Sequence, residues 1–248
     1  KTHQWWDKIN LLPLNLRVLL SKQLLSIPPS FWDKSGSIFK GVSGNRISKI
    51  AGVLSAQDEK SLYRYFTSHW DDPARVVINS KEPNTQITHP SISLNSNVEQ
   101  MMALDSKTYL PDDILTKVDR AAMGVSLETR IPLLDHRIVE FAWKLPLSMK
   151  IRNGQGKWIL KELLYQYVPK DLLERPKMGF GVPIDSWLRG PLKDWAENLL
   201  DESRLKQEGY FDPNLIRKKW EEHISGSSNW QYHLWDVLMF QAWLEEQS

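Results

Sequence analysis

Apolar residues recur every three or four positions along most of this chain, and that spacing is typical of amphipathic α-helices. Prolines, glycines and short runs of serine and asparagine interrupt the pattern and predict where the helices end. The predicted helices lie at about residues 3–12, 13–27, 47–54, 55–67, 98–110, 112–125, 135–144, 157–168, 192–200, 214–224 and 230–246. The sequence therefore predicts a fold that is almost all α.

The last predicted helix has the widest apolar face. Its expected inward residues are Leu234, Trp235, Leu238, Met239, Ala242 and Trp243, opposite Gln231, Asp236, Gln241 and Glu245. The same spacing predicts inward faces for five other helices, formed by Leu16, Leu19, Leu20 and Leu24; Leu62, Tyr63 and Phe66; Ile114, Leu115, Val118, Ala122 and Val125; Ile138, Val139, Ala142 and Trp143; and Leu160, Leu163, Leu164 and Tyr167.

Several residues have the chemistry of helix ends. Ser55 and Asp58 resemble a capping box, with aspartate in place of the usual glutamate. Pro111 is expected to end one helix, and Asp112 to begin the next with an acidic residue at its positive end. Asp135 is placed to cap the helix that follows it.

The irregular segments are also marked. Residues 30–46 and 71–96 are rich in serine, glycine, asparagine or proline, so they predict loops. Residues 153–156 (NGQG) predict a turn. Within the second loop, Arg75 to Asn79 (RVVIN) is a short strand candidate, because its branched residues favour extended backbone.

Composition and charge narrow the function classes. The chain has 248 residues, room for one large domain or two small ones, and its 41% hydrophobic and 25% charged residues are ordinary for a globular protein. The net charge of +2, with scattered basic residues, does not favour nucleic-acid or membrane-surface binding. The absence of cysteine excludes disulfides and thiolate chemistry, and it fits a cytosolic setting. Since residue 1 is a lysine and no signal peptide is visible, we expect a fragment of a longer protein.

The stretch from Leu173 to Leu188 combines features that suggest chemistry. Its closely spaced prolines and glycines predict a loop, and its interleaved apolar residues predict that part of the loop is buried. Two cations, Arg175 and Lys177, lie within it. A partly buried loop that holds a lysine beside glycines is suited to binding an anion, such as a phosphate or a developing oxyanion. The alternative is a lysine that is simply solvated.

Two further charged clusters are candidates for binding. The first is on one predicted helix and consists of Lys117, Asp119 and Arg120; the second surrounds a proline-bearing turn and consists of Glu128, Arg130, Asp135 and Arg137. A solvated helix face and a buried ion-pair network with an N-cap are the corresponding structural alternatives. No pair of histidines has metal-ligand spacing, so the sequence predicts no metal site. No serine has the context of a nucleophile elbow either.

Two long stretches carry a family resemblance. Residues 109–146 (YLPDDILTKVDRAAMGVSLETRIPLLDHRIVEFAWKLP) and 156–192 (GKWILKELLYQYVPKDLLERPKMGFGVPIDSWLRGPL) resemble the glutamine-hydrolysing asparagine synthetases. With weaker flanks the likeness covers essentially the whole chain. In that family an N-terminal glutaminase domain, with a cysteine nucleophile, feeds ammonia to a synthetase domain of the adenine-nucleotide-hydrolase type. ATP and magnesium serve the second domain, where aspartate is adenylated and ammonia then displaces AMP.

The resemblance also implies what this chain lacks. The family's pyrophosphate-binding motif, SGGxDS, does not occur in it. We therefore expect residues 1–248 to be the helical C-terminal part of a synthetase domain whose parallel sheet lies upstream. The expected partners are that sheet and the glutaminase domain of the same polypeptide, with aspartate, glutamine and ATP as substrates. No cofactor is expected to bind to the fragment alone, which we expect to be inactive and to self-associate through the face left by the sheet.

Residue by residue, Lys177 matches the family's catalytic lysine, which contacts the phosphates. Strong family positions also fall on Lys117, Asp119, Arg120, Glu128 and Arg130, and we treat these five as candidate substrate-binding residues. Two other functions stay open at this point. One is amidation of a sugar acid in polysaccharide assembly by a member of the same family. The other is a helical interaction module that has lost catalysis.

Overall fold

A computed structural model describes residues 6, 9–27, 32, 44–94, 96–175 and 181–247. The chain divides into two compact units. The central unit takes its described residues from 89–175, and the flanking unit takes them from 6–88 and 181–247. Among the helices so described, none has the length and apolar character needed to cross a membrane.

Helices make up most of both units, which confirms the mostly α prediction. In the flanking unit they are α1 (Leu14–Ser26), α2 (Gly44–Ser55) and α3 (Glu59–Thr67), and, after the central unit, α10 (Ile184–Arg189), α11 (Lys193–Leu199), α12 (Glu202–Glu208), α13 (Pro213–Ile224) and α14 (Gln231–Gln247). In the central unit they are α4 (Asn97–Lys107), α5 (Thr116–Met123), α6 (His136–Lys144), α7 (Leu147–Lys150), α8 (Trp158–Leu164) and α9 (Lys170–Leu173). Short 3-10 helices occupy Pro73–Arg75 and Pro132–Leu134. The predicted helix at 3–12 and the predicted loop at 30–46 lie largely outside the described residues.

Among the described residues of the central unit, one antiparallel hairpin accompanies the helices. Strand β1 (Ile151–Arg152) pairs with β2 (Gln155–Gly156). The connecting residues Asn153 and Gly154 both have positive φ, at 50° and 75°, as a tight two-residue turn requires. The predicted turn is therefore confirmed at residues 153 and 154, whereas residues 155 and 156 form β2.

The core of the flanking unit forms where α10 to α14 pack together. Its fully buried members include Leu188, Leu200, Ile216, Leu234 and Leu238. Two of these helices, α10 and α12, were not predicted. The predicted loop is correspondingly shorter, because the helix α10 begins at Ile184 and buries that residue.

The inner face of α1 is more polar than its leucines suggest. Arg17 is buried and donates from Nη1 to the carbonyl of Ala56 at 2.8 Å, and Ser21 donates to a carbonyl of α2 at 2.8 Å. Buried polar groups are stable where they find such acceptors. The predicted apolar face is wrong at Leu16 and Leu19, which are exposed.

The buried face of the long helix α14 also differs from the predicted one and also includes a polar residue. Its buried residues are Leu234, Val237, Leu238 and Gln241, whereas Met239 and Trp243 are exposed. The placement of Gln241 on the solvent face was wrong. Its Nε2 donates to the carbonyl of Leu199 at 3.2 Å and to the carboxylate of Glu208.

The central unit buries few side chains. Among its described residues, the buried ones are Ala103 and Leu104. The predicted inward faces of α6 and α8 are wrong, because Ile138, Val139, Trp143, Leu160, Leu163, Leu164 and Tyr167 are all exposed. The inward face predicted for residues 114–125 is wrong at Val118 and Val125, which are exposed, whereas Ile114, Leu115 and Ala122 are half-buried. The amphipathic pattern is present, but nothing in the described part of the unit covers it.

Two helices begin at aspartate caps, one of which differs from the predicted arrangement. Asp58 itself caps α3 by accepting from the backbone N–H of Ser61 at 2.8 Å, so Ser55 does not form the predicted capping box and instead ends α2. In α3, Leu62 and Tyr63 are buried as predicted, but Phe66 is exposed. Asp135 caps α6 as predicted, accepting from the N–H of Arg137 at 2.9 Å.

Prolines redirect two other segments. A π-helix (Tyr109–Leu115) continues through Pro111 and leads into α5, so the predicted break there was wrong. The hydroxyl of Thr116 donates to the carbonyl of Pro111 at 2.8 Å. The strand predicted at 75–79 was also wrong: Pro73 opens a 3-10 turn, and Val77 forms only an isolated bridge with Phe211.

Candidate functional site

The first charged cluster lies on α5, where the three side chains have different partners. Lys117 forms an ion pair with Asp113 one turn earlier, and this hydrogen bond raises the pKa of the lysine. Asp119 and Arg120 form no side-chain hydrogen bond or ion pair with any residue that the structure describes. Among the charged residues of α5, these two therefore have no ion-pair partner in the described part of the chain.

Asp119 also lines an open cleft with a volume of about 410 Å³. The cleft lies between α5 with its preceding π-helix and the segment that follows α5. Its lining consists of Pro111, Leu115, Thr116, Val118, Asp119, Thr129, Ile131 and Leu134. Apolar residues with a few polar ones, here Asp119, Thr116 and Thr129, are a composition that small-molecule sites share, because a few polar groups orient the ligand.

The second cluster is close to this cleft in sequence but does not line it. Thr129 and Ile131 belong to the lining, whereas Glu128 and Arg130 do not. Instead, Arg130 donates from Nε to Glu128 at 2.9 Å, with the two side chains 86% and 69% exposed. The buried ion-pair network considered for these residues is therefore not observed. An exposed pair of this kind typically contributes little to stability.

The remaining members of that cluster form the cap of α6. Arg137 holds Asp135 through two hydrogen bonds, from Nε at 2.9 Å and from Nη2 at 2.8 Å. These bonds lower the pKa of the Asp135 carboxyl and raise that of Arg137. Asp135 and Arg137 therefore have a structural role, as the cap of α6 and the side chain that holds that cap.

The lysine expected to be catalytic, Lys177, lies outside the described residues, so its role stays a prediction. Arg175 is the last described residue before it and is exposed. Beyond residues 176–180, Val182 is 51% exposed, and Ile184 is buried.

Sequence reasoning missed two polar features of the central unit. Thr129 lines the cleft, and only the alternation of residues in an extended segment could have indicated it. Glu174 accepts hydrogen bonds from Lys161 of α8 and from Tyr165, the residue that follows α8. The second contact joins residues nine positions apart, and no local pattern in the sequence indicates it.

Within the described ranges, no group of three or more histidine, aspartate or glutamate side chains is placed to hold a metal ion. We therefore assign no magnesium ligand to these residues.

Comparison with known proteins identifies relatives over most of the chain. The family model described as asparagine synthase matches residues 19–245. Asparagine synthetase (glutamine-hydrolyzing) 1 of Bacillus subtilis is 33% identical over 148 residues, which are 60% of this chain and 23% of that protein. The asparagine synthetase (glutamine-hydrolyzing) of Mus musculus is 31% identical over 186 residues, 64% of this chain and 32% of the relative.

The corresponding protein of Bos taurus is 30% identical, with the same coverage as the mouse protein. This chain thus spans between about a quarter and a third of the length of the curated relatives it matches. No solved structure matches it.

Proposed function

Because this chain belongs to the asparagine synthase family, we propose that it is part of an ATP- and glutamine-dependent ligase that converts aspartate to asparagine. The observation that carries the proposal is the match of the family model to residues 19–245, joined by relatives whose names specify glutamine-hydrolysing asparagine synthesis. We place the reaction in the cytosol, in keeping with a sequence that has no cysteine.

The proposed reaction has two steps. A side-chain carboxylate oxygen of aspartate attacks the α-phosphorus of ATP, and pyrophosphate leaves, which gives an aspartyl-adenylate. Ammonia derived from glutamine then attacks the activated acyl carbon, a proton is lost, and AMP leaves. Negative charge on phosphate oxygens changes position in both steps, so a cation aimed at those oxygens stabilises both transition states.

We assign that cation to Lys177. An ammonium group is a compact charge that follows phosphate oxygens as their geometry changes along the reaction. Removal of one such preorganised donor typically lowers the rate by about 10²- to 10³-fold. The neighbouring glycines at 179 and 181 would let a ligand approach the backbone closely.

The five candidate substrate-binding residues differ in how readily they could bind. Lys117, Glu128 and Arg130 are already in ion pairs within the chain, so a substrate would have to replace an existing partner. Asp119 and Arg120 need no such exchange among the described residues. We therefore expect Asp119, in its cleft, to accept from a substrate ammonium group, and Arg120 to be available for a carboxylate or phosphate.

The central unit also supports the proposed partners. Its exposed faces on α6 and α8 present Phe141 (60%) and Leu163 (53%) to solvent. Apolar surface of this kind marks an interaction site. We propose that the upstream sheet of the synthetase domain covers it, and that a glutaminase domain of the same polypeptide supplies the ammonia. Without that cover, we expect copies of this chain to self-associate.

The test uses the intact protein that contains this chain, supplied with ATP, magnesium, glutamine and one acceptor at a time. The proposal predicts asparagine, AMP and pyrophosphate in equal amounts when aspartate is the acceptor. AMP release with a sugar acid but not with aspartate would move the reaction to another acceptor of the same chemistry. No AMP release with any acceptor would favour a helical interaction module instead.

A further inference from the structure

The hydroxyl group of Thr116 has already used its one hydrogen. Thr116 is the first residue of α5, and its Oγ1 donates to the carbonyl of Pro111, in the preceding π-helix, at 2.8 Å. A hydroxyl oxygen carries two acceptor lone pairs besides its single hydrogen. No residue in the described part of the chain donates to this oxygen. The Thr116 side chain can therefore still accept hydrogen bonds, but it has no hydrogen left to donate.

Asp119 provides a second acceptor on the same face of α5. It follows Thr116 by three residues, a spacing that makes two side chains neighbours on a helix surface. Both residues line the open cleft of about 410 Å³, and so does Pro111. A carboxylate also accepts hydrogen bonds and does not donate them. The pair therefore combines a carboxylate and a hydroxyl oxygen that can only accept.

The rest of the cleft supplies no positive charge. Besides Thr116 and Asp119, the lining consists of Pro111, Leu115, Val118, Thr129, Ile131 and Leu134, and none of these described residues is a cation. A ligand that reaches the two acceptors must therefore bring its own hydrogen-bond donors. A primary ammonium group has three N–H donors and a positive charge, so it suits a carboxylate beside a hydroxyl oxygen.

We propose that Thr116 is a specificity-determining residue of this cleft: its Oγ1 accepts a hydrogen bond from the ammonium group of an amino-acid acceptor, which Asp119 also binds. This inference rests on the proposed function, in which the acceptor is aspartate. A sugar acid without an amino group has no ammonium to offer. A site that hydrogen-bonds one polar group of its substrate discriminates strongly against an analogue that lacks the group. Thr116 thus favours an amino acid over such a sugar acid.

The experiment compares aspartate with succinate, the same dicarboxylate without the ammonium group, in the intact protein. Thr116→Val keeps the shape of the side chain and removes its oxygen. The KM for aspartate should rise by about five- to tenfold, because a hydrogen bond to a charged group is lost. The KM for ATP and the inhibition constant of succinate should change by less than about twofold, since neither ligand uses this contact.

Two further substitutions at the same position keep the test independent of one variant's folding. Thr116→Ala also lacks the oxygen and should raise the KM for aspartate at least as much as Thr116→Val. Thr116→Ser keeps the hydroxyl and should stay within about threefold of the unmodified protein. Glutamine hydrolysis should be the same in all three variants.

Thr108→Val is the matched control for loss of a threonine hydroxyl. The Thr108 hydroxyl likewise donates to a backbone carbonyl, that of Leu104 at 2.9 Å, but Thr108 does not line the cleft. This variant should leave the KM for aspartate unchanged. An unchanged KM for aspartate in Thr116→Val would overturn the inference. An equal weakening of aspartate and succinate would also overturn it, because a distorted cleft affects both ligands.

Failure of the proposed function would look different. In that case the unmodified protein would form no asparagine from ATP, aspartate and glutamine. If the unmodified protein does form asparagine, the proposed function stands whatever the variants of Thr116 do.

Discussion

The buried imidazole of His223 accepts a hydrogen bond from the backbone N–H of Trp230 at 3.2 Å, so the end of α13 holds the residue before α14. This contact requires an unprotonated Nδ1. Burial lowers the pKa of His223, and the charge of Arg189 lowers it further, against the opposite effect of Asp185. The connection between the two longest helices of the flanking core therefore depends on a neutral histidine.

A second buried histidine predicts how stability depends on pH. Burial, with Lys219 and His69 nearby, lowers the pKa of His233 from 6.5 to about 4. Because both histidines have pKa values below 6.5 in the folded state, the unfolded chain binds more protons at mildly acidic pH. The histidine contribution to stability is thus full above about pH 6.5 and is lost as the pH falls toward 4.

Urea unfolding followed by tryptophan fluorescence at pH 7.5 and 5 measures this effect. Burial raises the pKa of Asp236, which opposes the trend, so the informative quantity is the difference between variants. His233→Gln should reduce the loss of unfolding free energy between the two pH values by on the order of 1 kcal/mol, since solvent partly screens the ring. The exposed His136, changed to Gln, is the control. An unchanged pH dependence in His233→Gln would contradict the prediction.

The ring of Tyr65 packs against Gly52 of α2 and occupies the space that a side chain at position 52 would need. A Cβ added there would lie 2.1 Å from Cζ of that ring. Alanine is favoured over glycine within a helix by about 1 kcal/mol, so Gly52→Ala should stabilise the protein only if the ring is absent. We predict this gain in a Tyr65→Ala background and its loss, or a net destabilisation, with Tyr65 present.

Thermal unfolding of the four proteins in this cycle tests the contact. Gly156→Ala is the control for adding a methyl group that meets no neighbour, because nothing lies within 4 Å of its added Cβ. Equal effects of Gly52→Ala in both backgrounds would show that the ring and the glycine do not interact.

Gln241 provides a test of the polar core. Replacement by leucine keeps the bulk but removes the donor to the Leu199 carbonyl and to Glu208. Leaving the buried Leu199 carbonyl unpaired costs about 1–3 kcal/mol, so Gln241→Leu should lower the unfolding free energy by that amount. Chemical denaturation measures it, with the exposed Gln247→Leu as the control. A neutral or stabilising Gln241→Leu would mean that apolar packing alone holds this position.

The periodicity of the sequence located most helices but not their orientation. In α1 and α14 the buried faces include Arg17 and Gln241, whose side chains bond to carbonyls supplied by distant segments. A hydrophobic pattern treats such residues as solvent-facing, because the acceptors are created only by the tertiary fold. The helix α10 was missed because it begins directly after Pro183, inside a stretch predicted to be a loop, and α12 was missed because Leu205 is its one buried residue, so it has no apolar periodicity.

The parts of the candidate site that involve residues close together in the sequence were predictable. Lys117 to Arg120 occupy one helix, and the Asp113–Lys117 ion pair follows from their spacing of four residues. The cleft beside Asp119 was not predictable, since its other wall is formed by Thr129 and Ile131, which reach α5 only through the fold.

The sequence also predicts the behaviour of this chain in isolation. It does not contain the SGGxDS motif expected to hold pyrophosphate, so residues 1–248 alone should not adenylate aspartate. Incubation with ATP, magnesium and aspartate, followed by a pyrophosphate assay, should give no signal above that of ATP alone. A pyrophosphate burst proportional to the protein concentration would contradict this expectation.

The most direct measurement is asparagine formation by the intact protein with Lys177 replaced by alanine. Our account predicts that Lys177→Ala lowers synthesis by at least about 10²-fold while glutamine hydrolysis continues at the normal rate, because the lysine is assigned to the phosphates and not to the glutaminase reaction. Near-normal asparagine production by this variant would contradict the account.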